Sequence, residues 1–181
     1  MRGFTLIESI MVAAIAASMC IALGLLTFNF TTLSNYESAL SQSSGSATTL
    51  MREVEALIAP ADMIVSSRTF SGTLYTSDAN ALILEIPSID GTGNVIANTY
   101  DYAVIYRTGA TVYRILEADP LSVRGGGTKQ LSSTVSALSF AYNNTTISLA
   151  SVVTVDLQTQ TTVKQQTLSD HRHEQLRLRN Y

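Results

Sequence analysis

Behind Ser9 the chain reads IMVAAIAASMCIALGLLTFNF as far as Phe30, with no charged side chain in the stretch. A helix rises about 1.5 Å per residue, so roughly 20 apolar residues span the hydrocarbon core of a bilayer. A lone segment in that medium must bond its own peptide groups internally, and only a helix does so without partners. The composition agrees. Ala, Leu and Met are strong helix formers, no proline interrupts the run, and Gly24 is a soft point or a close-approach site. A secretory signal peptide begins in a similar way. Here the basic region is only Met1-Arg2, the apolar run outlasts the usual signal core, and an acid, Glu8, stands at its front edge. A retained transmembrane helix fits these three features.

Charged residues make up 14% of the 181, against about 25% in an ordinary soluble domain. The deficit is concentrated: no Lys or Arg lies between Arg2 and Arg52, and the acids of that interval are Glu8 and Glu37. With Arg2 ahead of the span and no basic residue soon after it, the positive-inside rule places the N-terminus in the cytoplasm and everything beyond Phe30 outside. The remaining length suits one modest domain. A net charge of −3 argues against a surface built to neutralise phosphates, so nucleic acid is not an expected partner. The single cysteine, Cys20, lies in the apolar run, which excludes an intramolecular disulfide.

Glu8 carries the most information in this segment. A carboxylate at the entrance to a membrane span is either hydrated at headgroup level or held by a partner. Its surroundings, Gly3-Phe4-Thr5-Leu6-Ile7-Glu8-Ser9, resemble the cleavage and methylation motif of type IV prepilins, pseudopilins and competence pilins. In that motif a short basic leader ends in Gly, an aromatic residue follows, and a Glu lies four residues further on. The resemblance implies scission between Gly3 and Phe4 by a membrane prepilin peptidase, N-methylation of Phe4, and pairing of Glu8 with the terminal amine of a neighbouring subunit. The leader, with Arg2 as its one basic residue, is shorter than many in the family. Ammonium and carboxylate attract strongly in low dielectric, and either one left unpaired there is costly. Glu8 would thus set the register of assembly, while Ala13, Ala14, Ala16, Ala17 and Gly24 would let neighbouring helices approach closely. The implied partners are other pilin or pseudopilin subunits, the peptidase, an assembly platform and the membrane. The implied location is the inner (cytoplasmic) membrane, then a pilus or pseudopilus.

Beyond Phe30 the apolar positions keep helical spacing: Leu33, Tyr36 and Leu40, then Leu50, Val54, Leu57 and Ile58. The Ser-, Thr- and Ala-rich patch 41–49, centred on Gly45, predicts a kink or frayed turn, and Pro60 predicts the helix end. From Met63 onward β signals dominate. Strands are predicted near Met63–Ser67, Ala81–Ile86, Tyr102–Arg107, Thr111–Leu116, Val135–Asn143, Ser151–Gln158 and Gln175–Leu178. Thr108-Gly109-Ala110 reads as a three-residue hairpin connection. Asp90 to Asn94 and Arg124 to Gly127 read as turn or loop. The fold class is α+β. Residues 1–3 form a leader, 4–30 a transmembrane and assembly helix, 31–59 its amphipathic continuation, and 60–181 a β-rich domain on which that continuation packs. This agrees with the long helix and C-terminal β-domain that the resemblance implies.

A second, looser resemblance runs through Val135–Tyr142, Val152–Leu157 and Arg177–Asn180, which are similar to the late strands of the larger minor pseudopilins, the J type of type II secretion and its W-type minor pilin counterpart. It implies a subunit at or near a filament tip. Other constellations carry less. His171-x-His173-Glu174 supplies metal-ligand types without an evident third or fourth ligand, and reads as a solvated polar segment. Asp90 to Asn94 lacks the spaced acids of a calcium loop. Gly125-Gly126-Gly127-Thr128-Lys129 lacks phosphate-loop spacing, and Arg172, Arg177 and Arg179 are dispersed as on an ordinary strand edge. No grouping supports nucleophilic catalysis, so neither an enzyme nor a cofactor is expected. The rival from another class is a single-pass, uncleaved membrane anchor carrying a β-domain that acts as a binding module.

Overall fold

The computed structural model describes residues 5–164 and 166–179. One helix, α1 (Leu6–Ile58), is followed by ten strands: β1 (Met63–Ile64), β2 (Ser67–Phe70), β3 (Thr73–Thr76), β4 (Ala81–Ile89), β5 (Val95–Thr108), β6 (Thr111–Glu117), β7 (Gly127–Ser132), β8 (Val135–Tyr142), β9 (Val152–Val163) and β10 (Gln166–Arg177). The chain divides into two compact units at Ala39 and Leu40. The first unit is the N-terminal part of α1. The second contains the C-terminal part of α1 and every strand.

In the second unit α1 lays one stripe on the sheets. Ala47, Leu50, Met51, Val54, Leu57 and Ile58 are buried, at spacings of three, four and seven. They pack against Leu82, Leu84 and Ile86 of β4, Ala103 and Ile105 of β5, and Val153, Val155 and Leu157 of β9 in one core. Each fully buried aliphatic side chain contributes roughly 1.5–3 kcal/mol over leaving it in water. The helix closes with Ala59 N–H on Glu55 O at 2.9 Å; Pro60 ends it, as predicted, because the residue before a proline is disfavoured in helical geometry.

The frayed turn expected around Gly45 is absent, and α1 is unbroken through 41–49. The serines that suggested a break are used against the strands. Ser43 Oγ lies 3.0 Å from Thr159 Oγ1, Ser46 Oγ lies 2.8 Å from Ser132 Oγ and 3.2 Å from Thr134 Oγ1, and Ser132 and Thr134 hydroxyls are 3.4 Å apart. Small hydroxylated side chains here let the helix close on the sheets while satisfying buried polar atoms.

All strand pairs are antiparallel. One sheet has the order β1-β4-β5-β6-β7 and another β10-β9-β8, with β2 and β3 forming a separate hairpin. The predicted β5–β6 connection is shorter than three residues: Thr108 pairs with Thr111, leaving Gly109 and Ala110 as the turn. Gly109 has φ +61 and Ala110 is not among the positive-φ residues, the pattern a type II′ hairpin turn requires. The β2–β3 hairpin escaped prediction although its Ser71-Gly72 turn, with φ 47 and 86, has the double positive φ of a type I′ turn. It lies over the face of the five-stranded sheet away from α1, where Phe70 joins Ile83, Val104 and Ile115 in a second small core.

Candidate functional site

The entry of α1 is built by Thr5 and Glu8, three residues apart as in a capping box. Glu8 Oε2 accepts from the Thr5 backbone N–H at 2.9 Å and from its hydroxyl at 3.0 Å, while the Glu8 N–H donates to Thr5 Oγ1 at 3.4 Å. These reciprocal bonds satisfy donors that a first helical turn leaves open, and they set a negative charge at the positive end of the helix dipole. The Thr-x-x-Glu spacing was legible in the sequence, and it gives Glu8 a partner within its own chain. Both bonds reach the same carboxylate oxygen, and among the described residues nothing donates to Oε1. Gly3 and Phe4, the predicted cleavage and methylation positions, lie outside the described residues.

Past the cap, every large apolar side chain from Leu6 to Phe30 is exposed, from 54% at Ile15 to 82% at Leu6. Contiguous apolar surface on this scale marks contact with a membrane or with other chains. The helix is long and apolar enough to cross a membrane. Its few hydroxyls are closed onto its own backbone: Ser18 donates to Ala14 O at 2.9 Å, Thr27 to Leu23 O at 2.8 Å, and Thr31 to Thr27 O at 2.7 Å. No polar side chain from Ser18 to Thr31 therefore stands open to hydrocarbon except Asn29, near its end. Of the small residues singled out for packing, Ala13, Ala17 and Gly24 share one helix face at spacings of four and seven, and Ala16 flanks them. Ala14 lies about 100° round from Ala13. Among the described residues, and apart from the adjacent backbone of its own helix, nothing comes within 4 Å of a Cβ built on Gly24.

On the β-domain the other constellations resolve into structure. His171 and His173 share a face of β10, and Asp156 of β9 stands beside both, its Oδ1 2.7 Å from His173 Nδ1 and 3.5 Å from His171 Nε2. Glu174 alternates to the opposite face. Among the described residues no three His, Cys, Asp or Glu side chains are grouped to hold a metal ion. Asp90 folds back on its own turn, where its Oδ1 accepts from Thr92 Oγ1, Thr92 N–H and Asn94 N–H, and these bonds hold its carboxyl below the usual range. Of the glycine-rich segment, Gly127 to Lys129 begin β7, and Lys129 pairs with Glu53 of α1, which also faces Arg114 at 3.7 Å. Arg172 is held by Asp170 at 3.2 Å and by Ser44 Oγ at 3.2 Å.

The most organised polar cluster was not predicted. Asp101, fully buried, accepts from Ser88 Oγ at 2.9 Å, Asp119 N–H at 2.8 Å, Ser122 Oγ at 2.7 Å and Arg124 at 2.7 Å. Arg124 also donates to Pro87 O. Burial opposes ionisation of Asp101, yet the Arg124 guanidinium, the Asp119 N–H and the two hydroxyls together outweigh it and hold the carboxyl below its ordinary value. The cluster ties the β6–β7 connection, residues 118–126, to β4 and β5. One signal was available: in Asp101-Tyr102-Ala103-Val104-Ile105 the acid falls in the alternation phase of Ala103 and Ile105, which face the core. Nearby, Arg68 of β2 stacks 3.3 Å from the Tyr102 ring centroid and lies 3.6 Å from Glu117. Comparison with family models, with curated proteins and with solved structures finds no match to this chain.

Proposed function

We propose that this chain is a structural subunit of the type IV pilin class, a minor pilin or pseudopilin that serves a type IV pilus, a type II secretion pseudopilus or a competence pilus. The observation that carries the reading is the run Gly3-Phe4 followed by Glu8 at the mouth of an apolar helix whose large side chains are uncovered from Leu6 to Phe30. Cleavage after Gly3 frees an amine on Phe4, four residues before Glu8 in the sequence, and Oε1 of Glu8, which accepts from no described residue, is offered to the amine of a neighbouring subunit. Burial of the apolar helices against one another then supplies association. Most of that energy comes from close packing, because lipid is as apolar as the side chains it leaves. The organised polar clusters of the β-domain tie its elements together.

The capping box favours a second reading. It accounts for Glu8 without a second subunit, as in a single-pass anchor that is never cut and that displays the β-domain as a binding module. Mass spectrometry of the N-terminus, after coexpression with a cognate prepilin peptidase, separates the two. A mature chain starting at N-methylated Phe4 supports the pilin class. An intact Met1, or a cut after the apolar run, removes the filament reading.

A further inference from the structure

The sequence contains three Asn-x-Thr triplets without proline at the middle position: Asn29-Phe30-Thr31, Asn143-Asn144-Thr145 and Asn144-Thr145-Thr146. The triplet is the acceptor pattern for attachment of an oligosaccharide to the asparagine amide, a reaction of surface segments on exported proteins. The pattern alone does not choose among the three; the structure does. Asn29 belongs to the apolar part of α1, where the Thr31 hydroxyl donates to Thr27 O at 2.7 Å and is committed to the helix backbone. Asn143 is consumed by the fold. Its Nδ2 donates to Ser151 Oγ at 3.0 Å, and its Oδ1 accepts from the N–H groups of Ser151 and Val152 at 3.0 and 3.1 Å. These bonds clamp the end of β8 to the start of β9, and a glycan on Nδ2 would compete with the bond to Ser151 Oγ.

Asn144 differs on each count. It sits with Thr145 and Thr146 in the exposed connection that follows β8. Its Oδ1 accepts the Thr146 N–H at 2.9 Å, while its Nδ2 has no partner among the described residues. That bond folds the triplet so that the side-chain amide and residue Thr146 lie together. A donor on the carbonyl oxygen also stabilises the charge left there when the amide nitrogen gives up a proton. We propose that Asn144 is a glycan acceptor. Its Nδ2 attacks the anomeric carbon of a lipid-pyrophosphate-linked oligosaccharide, the new bond is C1–Nδ2, and the C1–O bond to pyrophosphate breaks with its electron pair on the leaving pyrophosphate. The proton of Nδ2 passes to a base of the transferase. The proposal rests on the placement of the β-domain outside the cytoplasm, which both readings above share.

The test is mass spectrometry of the full chain purified from the cells that make it. The tryptic peptide from Gln130 to Lys164 carries both Asn143 and Asn144, so fragmentation must locate the added mass. The expected result is a glycan on Asn144, lost in Asn144→Gln and Thr146→Ala and retained in Asn143→Gln and Thr146→Ser, with unchanged near-ultraviolet circular dichroism. An unmodified Asn144 in wild type, or a glycan on Asn143 that survives Asn144→Gln, overturns the assignment. The N-terminal peptide in the same digest reports cleavage at Gly3 independently, so failure of one inference does not imply failure of the other.

Discussion

Asp101→Asn is the most informative single change in the β-domain. The amide keeps an oxygen where Oδ1 stands, so the bonds from Ser88 Oγ and the Asp119 N–H survive. At the Oδ2 position a donor replaces an acceptor, facing Ser122 Oγ and Arg124. The serine hydroxyl can turn to accept; the guanidinium has nothing to accept with. A hydrogen bond to a charged group contributes about 1.5–3 kcal/mol, and Arg124, with 21% of its side chain exposed, recovers part of its loss from water. The expected cost is about 2–3 kcal/mol. That corresponds to roughly 6–10 °C in melting temperature for a domain of this size, or about 1 M in urea midpoint at a typical slope. The chain has no tryptophan and 8 tyrosines, so near-ultraviolet circular dichroism of the full chain in detergent micelles is a suitable signal. A coupling of about 1 kcal/mol or more between Asp101→Asn and Arg124→Ala should appear in a double-mutant cycle. A loss under about 0.5 kcal/mol, the size of an ordinary surface change, would refute the view that this cluster holds the 118–126 connection in place. The acid side offers a second check. Because the folded carboxyl sits below its unfolded value of about 3.9, the native state binds fewer protons there. The contribution of Asp101 is complete above that pH and falls away as pH drops through the folded value, and Asp101→Asn should flatten this acid limb.

Thr5→Ala removes the cap at a cost of about 1 kcal/mol to the helix and should leave filament assembly intact, whereas Glu8→Ala should abolish it; equal defects in a pull-out or electron-microscopy assay would reduce Glu8 to a capping residue. Leu50→Ala opens a void between α1 and both sheets and should cost about 2–5 kcal/mol in urea unfolding. Gly109→Ala places a side chain at positive φ in the β5–β6 turn and should cost about 1 kcal/mol, seen as a lower melting temperature. Burial and the neighbouring Tyr75 hydroxyl push Tyr106 up to about 12, and burial raises Tyr142 as well. Absorbance titration should therefore show a fraction of the phenols, these two among them, ionising above the ordinary value of about 10. Their stabilisation is complete below the unfolded value of about 10 and declines as pH rises through the folded value.

The helix and its buried stripe were legible because spacing of three and four needs no knowledge of the partner surface, and the residues read as core, Leu50, Val54, Leu57 and Ile58, are the ones that face the sheets. The short apolar run Ala81–Ile86 and the segment Val135–Asn143 were found in the same way, and they fall in β4 and β8. Besides the β2–β3 hairpin, other elements were missed or misread. β10 extends from Gln166 to Arg177, far beyond the predicted Gln175–Leu178, because only Leu168 and Leu176 in it are apolar and its pairing with β9 is a backbone matter. β7 was hidden by the glycines that precede it. The serines 43–46 looked like helix breakers because their partners, Thr159, Ser132 and Thr134, lie roughly a hundred residues away, and tertiary pairing overrides local propensity. At the N-terminus, the Thr5-x-x-Glu8 spacing that closes the helix cap stands in the sequence, and the local hydrogen bonds follow from it.

The hydroxyls of Ser46, Ser132 and Thr134 form a closed triangle between α1 and the strands. Each can donate to one neighbour and accept from the other, so the ring has two equivalent senses of circulation and no fixed polarity. Damage to such a seam is graded, because losing one corner leaves the other two still able to pair. An interface of this kind tolerates drift at single positions over evolutionary time while keeping the helix seated, a latitude that the charged centre at Asp101, with its single cation and its full burial, does not share.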